Sequence, residues 1–281
     1  MNCSVIIATK DRYEDIVNLL KSISQQALLP NEVIIVDSSE QTEKQEEFIA
    51  YTNKIKLKLN LNYIKTDKRG LTVQRNIGIN NISPKTEIVF FFDDDLLLEQ
   101  GYIEAIIEAY KSDKNNEIGG IGGYLTQDGS KYSPLPEKIE KKEACTLYGC
   151  NMSFKLSAIQ DLRFDENLSL YAWMEDWDFS YRVARNYKLY YYSGALAIHL
   201  QSTSGRINEK KLGFMLIGNR HYLYKKNNFL SYKDYVYYFM QISKNILLSY
   251  RKARRQRLTG NMIALLNIVF LNKEIQYVNN L

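Results

Sequence analysis

The sequence predicts an α/β fold, with a mixed, mainly parallel sheet covered by helices on both faces and a helical C-terminal region. Three observations support this prediction. Three runs in the first hundred residues, SVIIA, EVIIV and EIVFFF, are almost wholly apolar and rich in Val, Ile and Phe, which is typical of strands buried on both faces, and NYIK (62–65) is a weaker run. Amphipathic segments lie between them, as in the crossovers of parallel sheets. From about residue 208 the pattern is helical throughout.

The first half alternates strands with helices. Ile16, Leu19, Leu20 and Ile23 fall on one helical face between the first two apolar runs. The expected strands are 4–8, 32–36, 62–65 and 87–92, and the further expected helices start at Glu40, cover 71–80 after Gly70, and include 103–110.

The pattern changes after residue 118. A strand-like run with closely spaced glycines comes first, and Pro134 and Pro136 then mark a loop. A short helix is expected after "LYGCNMSFK" (147–155) and a longer one over 175–188. Two short strands are expected in "LYYYS" (189–193) and "ALAIHL" (195–200).

Charge is distributed unevenly along the 281 residues. The chain is 45% hydrophobic and 25% charged, as in a globular protein with one large domain or one domain and an appendage. Its net charge is +5, yet residues 206–281 hold 14 Lys and Arg against three Asp and Glu, whereas residues 1–205 hold 23 against 29. The two regions are therefore expected to have different partners.

Features that report on the compartment point to the cytoplasm. The N-terminus lacks the basic and apolar regions of a signal peptide, and the apolar run 262–271 is too short to span a bilayer. Cys3, Cys145 and Cys150 have no CxxC spacing, so they are expected to be free thiols in a reducing compartment.

Polar side chains follow three of the expected strands. Residues 9–12 follow the first, Asp37 and Ser38 follow the second, and Asp93 to Asp95 follow "EIVFFF". Because sheets of this type bind ligands beyond the carboxyl ends of their strands, we expect these residues at one ligand-binding edge.

Three adjacent carboxylates at a strand end have three interpretations. One Asp can cap a helix that starts at Leu96. Carboxylate oxygens can bind Mg²⁺ or Mn²⁺, which commonly bridge to phosphates. An Asp can also act as a nucleophile in phosphoryl transfer, but no partner set for that chemistry can be identified.

Further acids and a histidine support the cation site. Glu175, Asp176 and Asp178 lie at a helix start beside Trp173 and Trp177. Acids there are favoured by the helix dipole, but three in four residues exceed what a cap needs, and one of them is a candidate general base. His199 ends an expected strand; a lone His is more often a packed or surface residue, although imidazole suits Mn²⁺.

Six motifs in order resemble family 2 glycosyltransferases with the GT-A fold, a group that includes bacterial rhamnosyl-, glucosyl- and galactosyltransferases. They are "SVIIATKDR", "EVIIVDSS", "RGLTVQRNIGI", "FFDDD", which resembles a DxD motif, "GCNMSFK" and "EDWDFSYRV", within about residues 3–206. The chain departs from the family at Ala8 in place of proline, at Lys10-Asp11 in place of Tyr-Asn, and at Ser38 in place of the second acid of VDD.

The resemblance implies a division into domains. A GT-A catalytic domain would cover 1–206, with a nucleotide-sugar-binding half (1–117) and an acceptor half (118–206), and 207–281 would be a basic helical extension. The implied activity is metal-dependent, inverting transfer of a sugar from a UDP- or dTDP-sugar to a hydroxyl of a glycan or polyprenyl-diphosphate-linked acceptor, in bacterial surface polysaccharide or glycoconjugate assembly.

The resemblance also implies residue roles. Asp37, beside Thr9, would contact the nucleobase. Asp95 would bind Mn²⁺ or Mg²⁺, with His199 completing the metal site, while Asp93 would serve the metal or the donor sugar and Asp94 would orient them. Asp176 would be the general base, and Glu175 would position the base or the acceptor. The expected acceptor-side residues are Asn151, Trp173 and Trp177.

Three arginines are expected to help bind the donor. Arg69 and Arg75 could neutralise phosphates or hold the sugar, although Arg75 could equally be a surface helix residue. Arg206 lies in the polar segment "HLQSTSGR" (199–206), which could close over the diphosphate.

The basic tail has two interpretations. Five of the seven residues 251–257 are Lys or Arg, and apolar residues with helical spacing precede them. The segment could be a helical bundle with a solvated basic face, or a peripheral contact with an anionic membrane surface on the inner face of the cell membrane. Nothing resembles a nucleic-acid readout motif, so no nucleic-acid partner is expected.

Two other functions are alternatives to sugar transfer. A nucleotidyltransferase would need a Gly-rich loop after the first strand, and "ATKDRYED" has no glycine. A catalytically silent nucleotide-sugar-binding protein would be expected to lack the DxD acids or the base, and this chain has both.

Overall fold

The structure is a computed structural model that describes residues 1–40, 43–55, 59–127, 130–131, 140–168, 172–202, 208–227, 232–251 and 254–271. The chain forms two compact units. The first, called the sheet unit, comprises Met1–Phe164 and Asp176–Gly205, and the second, called the helical unit, comprises Asp165–Glu175 and Arg206–Leu281. The domain boundary expected near residue 206 stays a prediction.

The described residues before 200 form ten strands and six helices. The strands are β1 (Cys3–Thr9), β2 (Glu32–Asp37), β3 (Leu61–Lys65), β4 (Ile88–Asp93), β5 (Leu96–Leu98), β6 (Ile118–Gln127), β7 (Ser130–Lys131), β8 (Lys141–Ala144), β9 (Asn151–Lys155) and β10 (Lys188–His199). The helices are α1 (Tyr13–Ser24), α2 (Glu43–Ile55), α3 (Leu71–Asn80), α4 (Tyr102–Lys111), α5 (Leu156–Ile159) and α6 (Glu175–Ala184).

One mixed sheet holds these strands together. Its order is β3-β2-β1-β4-β9-β6-β10-β5, with β7 beside β6 and β8 beside β10. The first four strands in this order are parallel, β9 runs antiparallel to both β4 and β6, β10 is parallel to β6, and β5 is antiparallel to β10. The predicted mixed, mainly parallel sheet is therefore confirmed.

The sheet buries an apolar core on each face. Successive residues of a strand point to opposite faces, so Phe90 and Phe92 pack with α1 and α4, whereas Phe91 packs with Phe154 and Phe179. All five apolar residues of β4 are buried, which explains why the strand reads as apolar throughout. Its acids begin where the core ends.

Six elements differ from the prediction: β7, β8 and β9 were not predicted, and three others differ in extent or type. The two strands expected over 189–200 are one strand, β10, because a bulge between Tyr192 and Leu196 bends it without ending its pairing with β6. The helix expected to reach residue 188 ends at Ala184, and Lys188 already belongs to β10, where its backbone N–H donates to the carbonyl of Glu117 at 2.7 Å. The third difference is β5, which forms where the capping hypothesis placed a helix start at Leu96.

The described residues of the helical unit form three long helices, α7 (Glu209–Lys226), α8 (Tyr232–Arg251) and α9 (Arg255–Leu266), and a π-helical turn at Asn267–Leu271. The Oδ1 atom of Asn208 caps α7 by accepting the backbone N–H of Lys211 at 2.8 Å. The predicted helical C-terminal region is confirmed. None of the helices in the described ranges has the length and apolar character that crossing a bilayer requires.

Candidate active site

A group of potential metal ligands lies where β4 and β10 end. Asp93, Asp95 and His199 each offer one ligand atom, and these three atoms lie within 4.8 Å of one another. It is the one group of this kind in the part of the chain that the structure describes. Asp93 ends β4, and Asp95 follows in the turn to β5. Because β5 pairs with the end of β10, His199 lies opposite Leu96, next to Asp95. The strand that sequence analysis missed thus brings the histidine to the acids.

Asp95 is held in place from several directions. Its carboxylate accepts the backbone N–H of Ser202 at 2.9 Å and contacts Nε2 of His199 at 3.1 Å. Burial opposes ionisation of Asp95, but these contacts and the charge of Arg12 outweigh it and lower its pKa. The carboxylate group is therefore ionised and oriented near neutral pH.

The contact between Asp95 and His199 shifts the pKa of His199 in the opposite direction. Burial favours the neutral ring, but the hydrogen bond and the charge of Asp95 outweigh burial and raise the pKa of His199. Two carboxylates and one imidazole form a donor set that suits Mn²⁺ or Mg²⁺. The side chain of Asp93 is 33% exposed, which leaves it accessible to a cation or a ligand. The residues present therefore fit a divalent cation.

Asp94 connects the ends of β1 and β4. It is buried, and its carboxylate accepts hydrogen bonds from Oγ1 of Thr9 at 2.7 Å and from Nη1 of Arg12 at 2.9 Å. Burial raises its pKa to about 7, although Arg12 and Thr9 act against that shift. The Arg12 guanidinium also lies 3.7 Å from the carboxylate of Asp95. The side chains of Thr9 and Asp94 are thus hydrogen-bonded to each other.

Arg75 is a buried residue, not the surface residue that was one expectation for it. Only 2% of its side chain is exposed, and Nη2 donates to Oδ1 of Asp93 at 3.0 Å and to the carbonyl of Gly149 at 2.8 Å. Its guanidinium carbon lies 5.3 Å from the ring centroid of Phe164. Arg75, which lies on α3, thus holds the carboxylate of Asp93, one of the potential metal ligands.

Asp176 lies at the start of α6 and is linked to the same network. Its carboxylate accepts the backbone N–H groups of Gly149 at 3.0 Å and Trp177 at 2.7 Å. Burial raises its pKa, and these two hydrogen bonds and the charge of Arg75 offset that shift only in part. A carboxylate with a raised pKa at a ligand-binding edge is a candidate general base.

Asp37 is enclosed by side chains of this chain. It is fully buried; Oδ1 accepts the backbone N–H of Ser39 at 2.7 Å and also its hydroxyl, and Oδ2 accepts the hydroxyls of Tyr63 at 2.5 Å and Tyr13 at 3.2 Å. The Nζ atom of Lys65 lies 3.8 Å from Oδ2. A nucleobase would therefore meet Asp37 only by replacing one of these partners.

The remaining expected site residues have varied surroundings. Asn151 is buried, and Nδ2 donates to the carbonyl of Gly123 at 2.9 Å. Trp177 is partly buried and stacks on Tyr181, with ring centroids 5.4 Å apart. Arg69 is exposed and pairs with Glu40. Arg206 lies outside the described residues.

Glu175 and Trp173 belong to the helical unit. Glu175 is buried, and its backbone N–H donates to the carbonyl of Ala172 at 2.9 Å. The carbonyl of Trp173 accepts Nδ2 of Asn219 at 3.0 Å. The residues on either side of Trp173, Ala172 and Met174, have positive φ angles of 50° and 74°. Such conformations are costly for residues with a Cβ and are enriched at functional sites.

Sequence analysis missed two residues that bond to the candidate site residues. Arg12 received no role, although its place after β1, at the expected ligand edge, was a usable signal. Gly149 was noted only within a motif, and no sequence pattern reveals that its N–H and carbonyl bond to Asp176 and Arg75.

The chain belongs to glycosyl transferase family 2, whose family model matches residues 4–154. An uncharacterized glycosyltransferase of Bacillus subtilis (strain 168), YwdF, is 27% identical over 224 residues, which cover 76% of this chain and 79% of that protein.

Solved structures of glycosyltransferases share the fold. They include GalNAc-T7 with UDP, GalNAc and Mn²⁺ (TM-score 0.61, 14% identity, 73% of this chain) and TarS 1–349 of S. aureus (0.58, 15%, 95% of this chain and 91% of that one). The mannosyltransferase PcManGT of Pyrobaculum calidifontis, with GDP-Man and Mn²⁺, has a TM-score of 0.59 at 15% identity and covers 94% of this chain and 74% of that one. This chain spans 45% of the GalNAc-T7 chain. The fold is therefore GT-A.

Proposed function

We propose that this protein is a metal-dependent, inverting glycosyltransferase that moves a sugar from a UDP- or dTDP-sugar to a hydroxyl of a glycan or lipid-linked glycan. One observation carries the proposal: the metal-ligand group and the candidate base are joined by a chain of hydrogen bonds. Arg75 contacts both Asp93 and Gly149, and Gly149 contacts Asp176. This network supports the proposal that divalent-cation binding and proton removal take place at one site.

The proposed reaction forms one bond and breaks one. The acceptor hydroxyl oxygen attacks the anomeric carbon from the side opposite the nucleoside diphosphate, and the bond from that carbon to the diphosphate oxygen breaks. The carboxylate of Asp176 takes the hydroxyl proton, and inversion follows from attack on the opposite side. Its bonds from Gly149 and Trp177 hold the carboxylate in one orientation while it does so.

The metal ligands and their neighbours serve the leaving group. A Mn²⁺ or Mg²⁺ ion held by Asp93, Asp95 and His199 would neutralise the departing diphosphate as a Lewis acid. Arg75 positions Asp93, and Asp94 and Arg12 fix the turn that carries Asp95. The related fold of GalNAc-T7 and PcManGT, whose structures contain Mn²⁺, supports this assignment.

The nucleobase preference is the least constrained part of the proposal. A carboxylate at Asp37 can accept the imide N–H of uracil or thymine, which favours UDP or dTDP over GDP. The solved relatives include complexes with UDP-GlcNAc and with GDP-Man. A donor panel therefore has to contain UDP-, dTDP- and GDP-sugars.

The test is nucleotide release and sugar transfer from that panel, with Mn²⁺, Mg²⁺ or EDTA. Replacing the general base, Asp176→Asn, should lower turnover by about 10²- to 10⁴-fold, while donor affinity changes little. The exposed carboxylate Asp161 provides a matched control, Asp161→Asn, which should behave as the parent.

Three results would contradict the proposal. Equal transfer by the parent and Asp176→Asn would remove the assigned base, and undiminished transfer in EDTA would remove the metal. A product whose anomeric configuration matches the donor, observed by NMR, would remove inversion. Nucleotide-sugar binding without any release would instead support the silent binding protein.

A further inference from the structure

The outward side of α8 is apolar. Seven exposed side chains cover it, among them Phe239, Met240 and Tyr250, which are 59%, 61% and 73% exposed. At about 100° per residue, these positions occupy roughly half of the helix circumference. A helix on a protein surface ordinarily turns its polar side outward. The residues of this α8 face are Val236, Tyr237, Phe239, Met240, Leu247, Leu248 and Tyr250.

The inward side of α8 carries polar groups that fix its orientation. Ser249 is buried, and its Oγ accepts Nδ2 of Asn261 from α9 at 3.1 Å. Tyr238 and Ile242 are buried on the same side, and the hydroxyl of Tyr238 contacts Nδ1 of His221 at 2.8 Å. Turning the apolar side inward would break these hydrogen bonds. The exposed apolar face is therefore specified by the sequence, and a contiguous face of this kind marks an interaction site.

Asp234 lies near the start of α8, but from Tyr235 onward α8 and α9 carry only basic charged side chains. Residues 235–273 contain no Asp or Glu, but they include Lys244, Arg254 and Arg255. Lys244 is exposed among the apolar residues of the face, and Arg254 and Arg255 are exposed where α9 begins, shortly after it. A partner that complements this segment must be both apolar and negatively charged.

We propose that the α8 face docks on an anionic lipid surface. Its apolar and aromatic side chains would enter the boundary between headgroups and acyl chains, and the neighbouring basic side chains would contact anionic headgroups. A second copy of the chain fits less well, because pairing two such faces brings together only positive charges. The proposal does not depend on the proposed transferase activity, since binding is measured without turnover.

The test is co-sedimentation of the full chain with vesicles of phosphatidylcholine alone or of phosphatidylcholine mixed with phosphatidylglycerol. The parent should bind the mixed vesicles at low salt and lose binding as salt rises, because exposed charges are then screened. The double variant Phe239→Glu, Met240→Glu should bind at least about tenfold more weakly. Lys244→Glu should weaken binding to the mixed vesicles and leave any binding to phosphatidylcholine unchanged.

A matched control comes from the sheet unit. Ile49 on α2 is an exposed apolar residue, so Ile49→Glu makes the same chemical change elsewhere and should bind as the parent does. Thermal melts followed by circular dichroism establish that all variants fold, whether or not the chain transfers sugar.

Three outcomes would overturn the proposal. The first is no binding to mixed vesicles at low salt, and the second is equal binding to both vesicle types. The third is parent-like binding by the folded double variant. Light scattering after gel filtration tests whether a second copy of the chain covers the α8 face instead. If the parent is a dimer, the double variant is a monomer and neither binds vesicles, the face is assigned to a second copy.

Discussion

Enclosed carboxylates of this protein ionise differently because their partners differ. Asp95 has a cationic partner and an N–H donor, and its pKa is lowered, whereas burial dominates at Asp176 and raises its pKa. This separation matches their proposed tasks, because a metal ligand must stay ionised and a base must be able to hold a proton.

The raised pKa of Asp176 predicts a pH dependence of turnover. The ionised form is the active base, so kcat should rise with pH through the pKa of Asp176, at a pH above the usual value of about 4 for Asp. This acidic limb should be absent in the residual activity of Asp176→Asn. A pH–rate profile of both proteins checks the prediction, and an unchanged limb in the variant would assign it to another group.

The raised pKa of Asp176 also predicts that its contribution to stability falls as pH rises. A carboxyl group whose pKa is raised by folding contributes stability below its unfolded pKa, and that contribution is lost as pH rises through the folded pKa. At pH 7 the buried charge is therefore unfavourable. The N–H groups of Gly149 and Trp177 bond to different oxygens of Asp176, so Asp176→Asn removes the charge but keeps an acceptor for only one of them. The melting temperature of Asp176→Asn relative to the parent should therefore be higher at pH 7 than at pH 3. A difference between the two proteins that does not change with pH, or that changes in the opposite direction, would contradict the assigned environment.

Arg75 predicts a change in metal affinity without direct contact with the metal. Lys retains the charge in Arg75→Lys but cannot present the guanidinium fork, so it would hold Asp93 less firmly. The apparent Mn²⁺ affinity should fall about ten- to a hundredfold, as for other partners of metal ligands. Titration of the chain with Mn²⁺ measures this. Arg185 is exposed on the sheet unit, and Arg185→Lys is the control that should titrate as the parent does.

At the scale of elements, close packing depends on glycine at a few positions. In the sheet, a Cβ added at Gly123 would lie 2.5 Å from the ring of Tyr102 and 2.8 Å from the carbonyl oxygen of Ala195. In the helical unit, α7 and α9 approach so closely that a Cβ at Gly213 would meet the carbonyl oxygen of Arg257. A Cβ at Gly260 would likewise meet that of Lys210.

The crossing of α7 and α9 predicts two destabilising substitutions and a harmless one. Gly213→Ala and Gly260→Ala place a methyl group against backbone, which cannot rotate away, and should each cost about 2 kcal/mol or more. Gly218→Ala, also on α7, meets only the ring of Phe214 at 3.2 Å. It should gain up to about 1 kcal/mol of helix propensity. Urea unfolding ranks the three variants, and equal effects would show that the crossing is looser than described.

At the scale of the whole molecule, the metal-ligand group and the candidate base belong to the sheet unit, and the α8 face belongs to the helical unit. The segment 206–281 of the helical unit holds 14 Lys and Arg against three Asp and Glu. The acids of the proposed cation site and the candidate base thus belong to one unit, and the basic residues that accompany an apolar face belong to the other.

This division predicts where a donor slows hydrogen exchange. Binding of a nucleotide-sugar with Mn²⁺ should protect the ends of β1, β4 and β10, where the site residues lie, because a bound ligand stabilises the closed form of its site. The exchange of α8 should not change. Mass spectrometry of exchanged peptides tests this, and anionic vesicles, by contrast, should protect α8. Equal protection of α8 by the donor would contradict the division.

The sequence by itself determined the fold class, the order of most elements and the edge where the acids lie. Apolar periodicity reflects burial, and burial is set locally by which faces a strand or helix covers, so β1, β2 and β4 could be predicted from single segments. The acids after β4 were predictable for the same reason, since every parallel strand ends at the same edge.

Only the tertiary structure decided the contacts between segments distant in sequence. The three-residue strand β5 carries too little pattern to detect, yet its pairing with β10 brings His199 to Asp95. Likewise, Arg75 could be a surface or a site residue until the folded chain placed it between Asp93 and Gly149. Such contacts depend on pairing and on backbone groups that every residue has, and side-chain patterns do not record them.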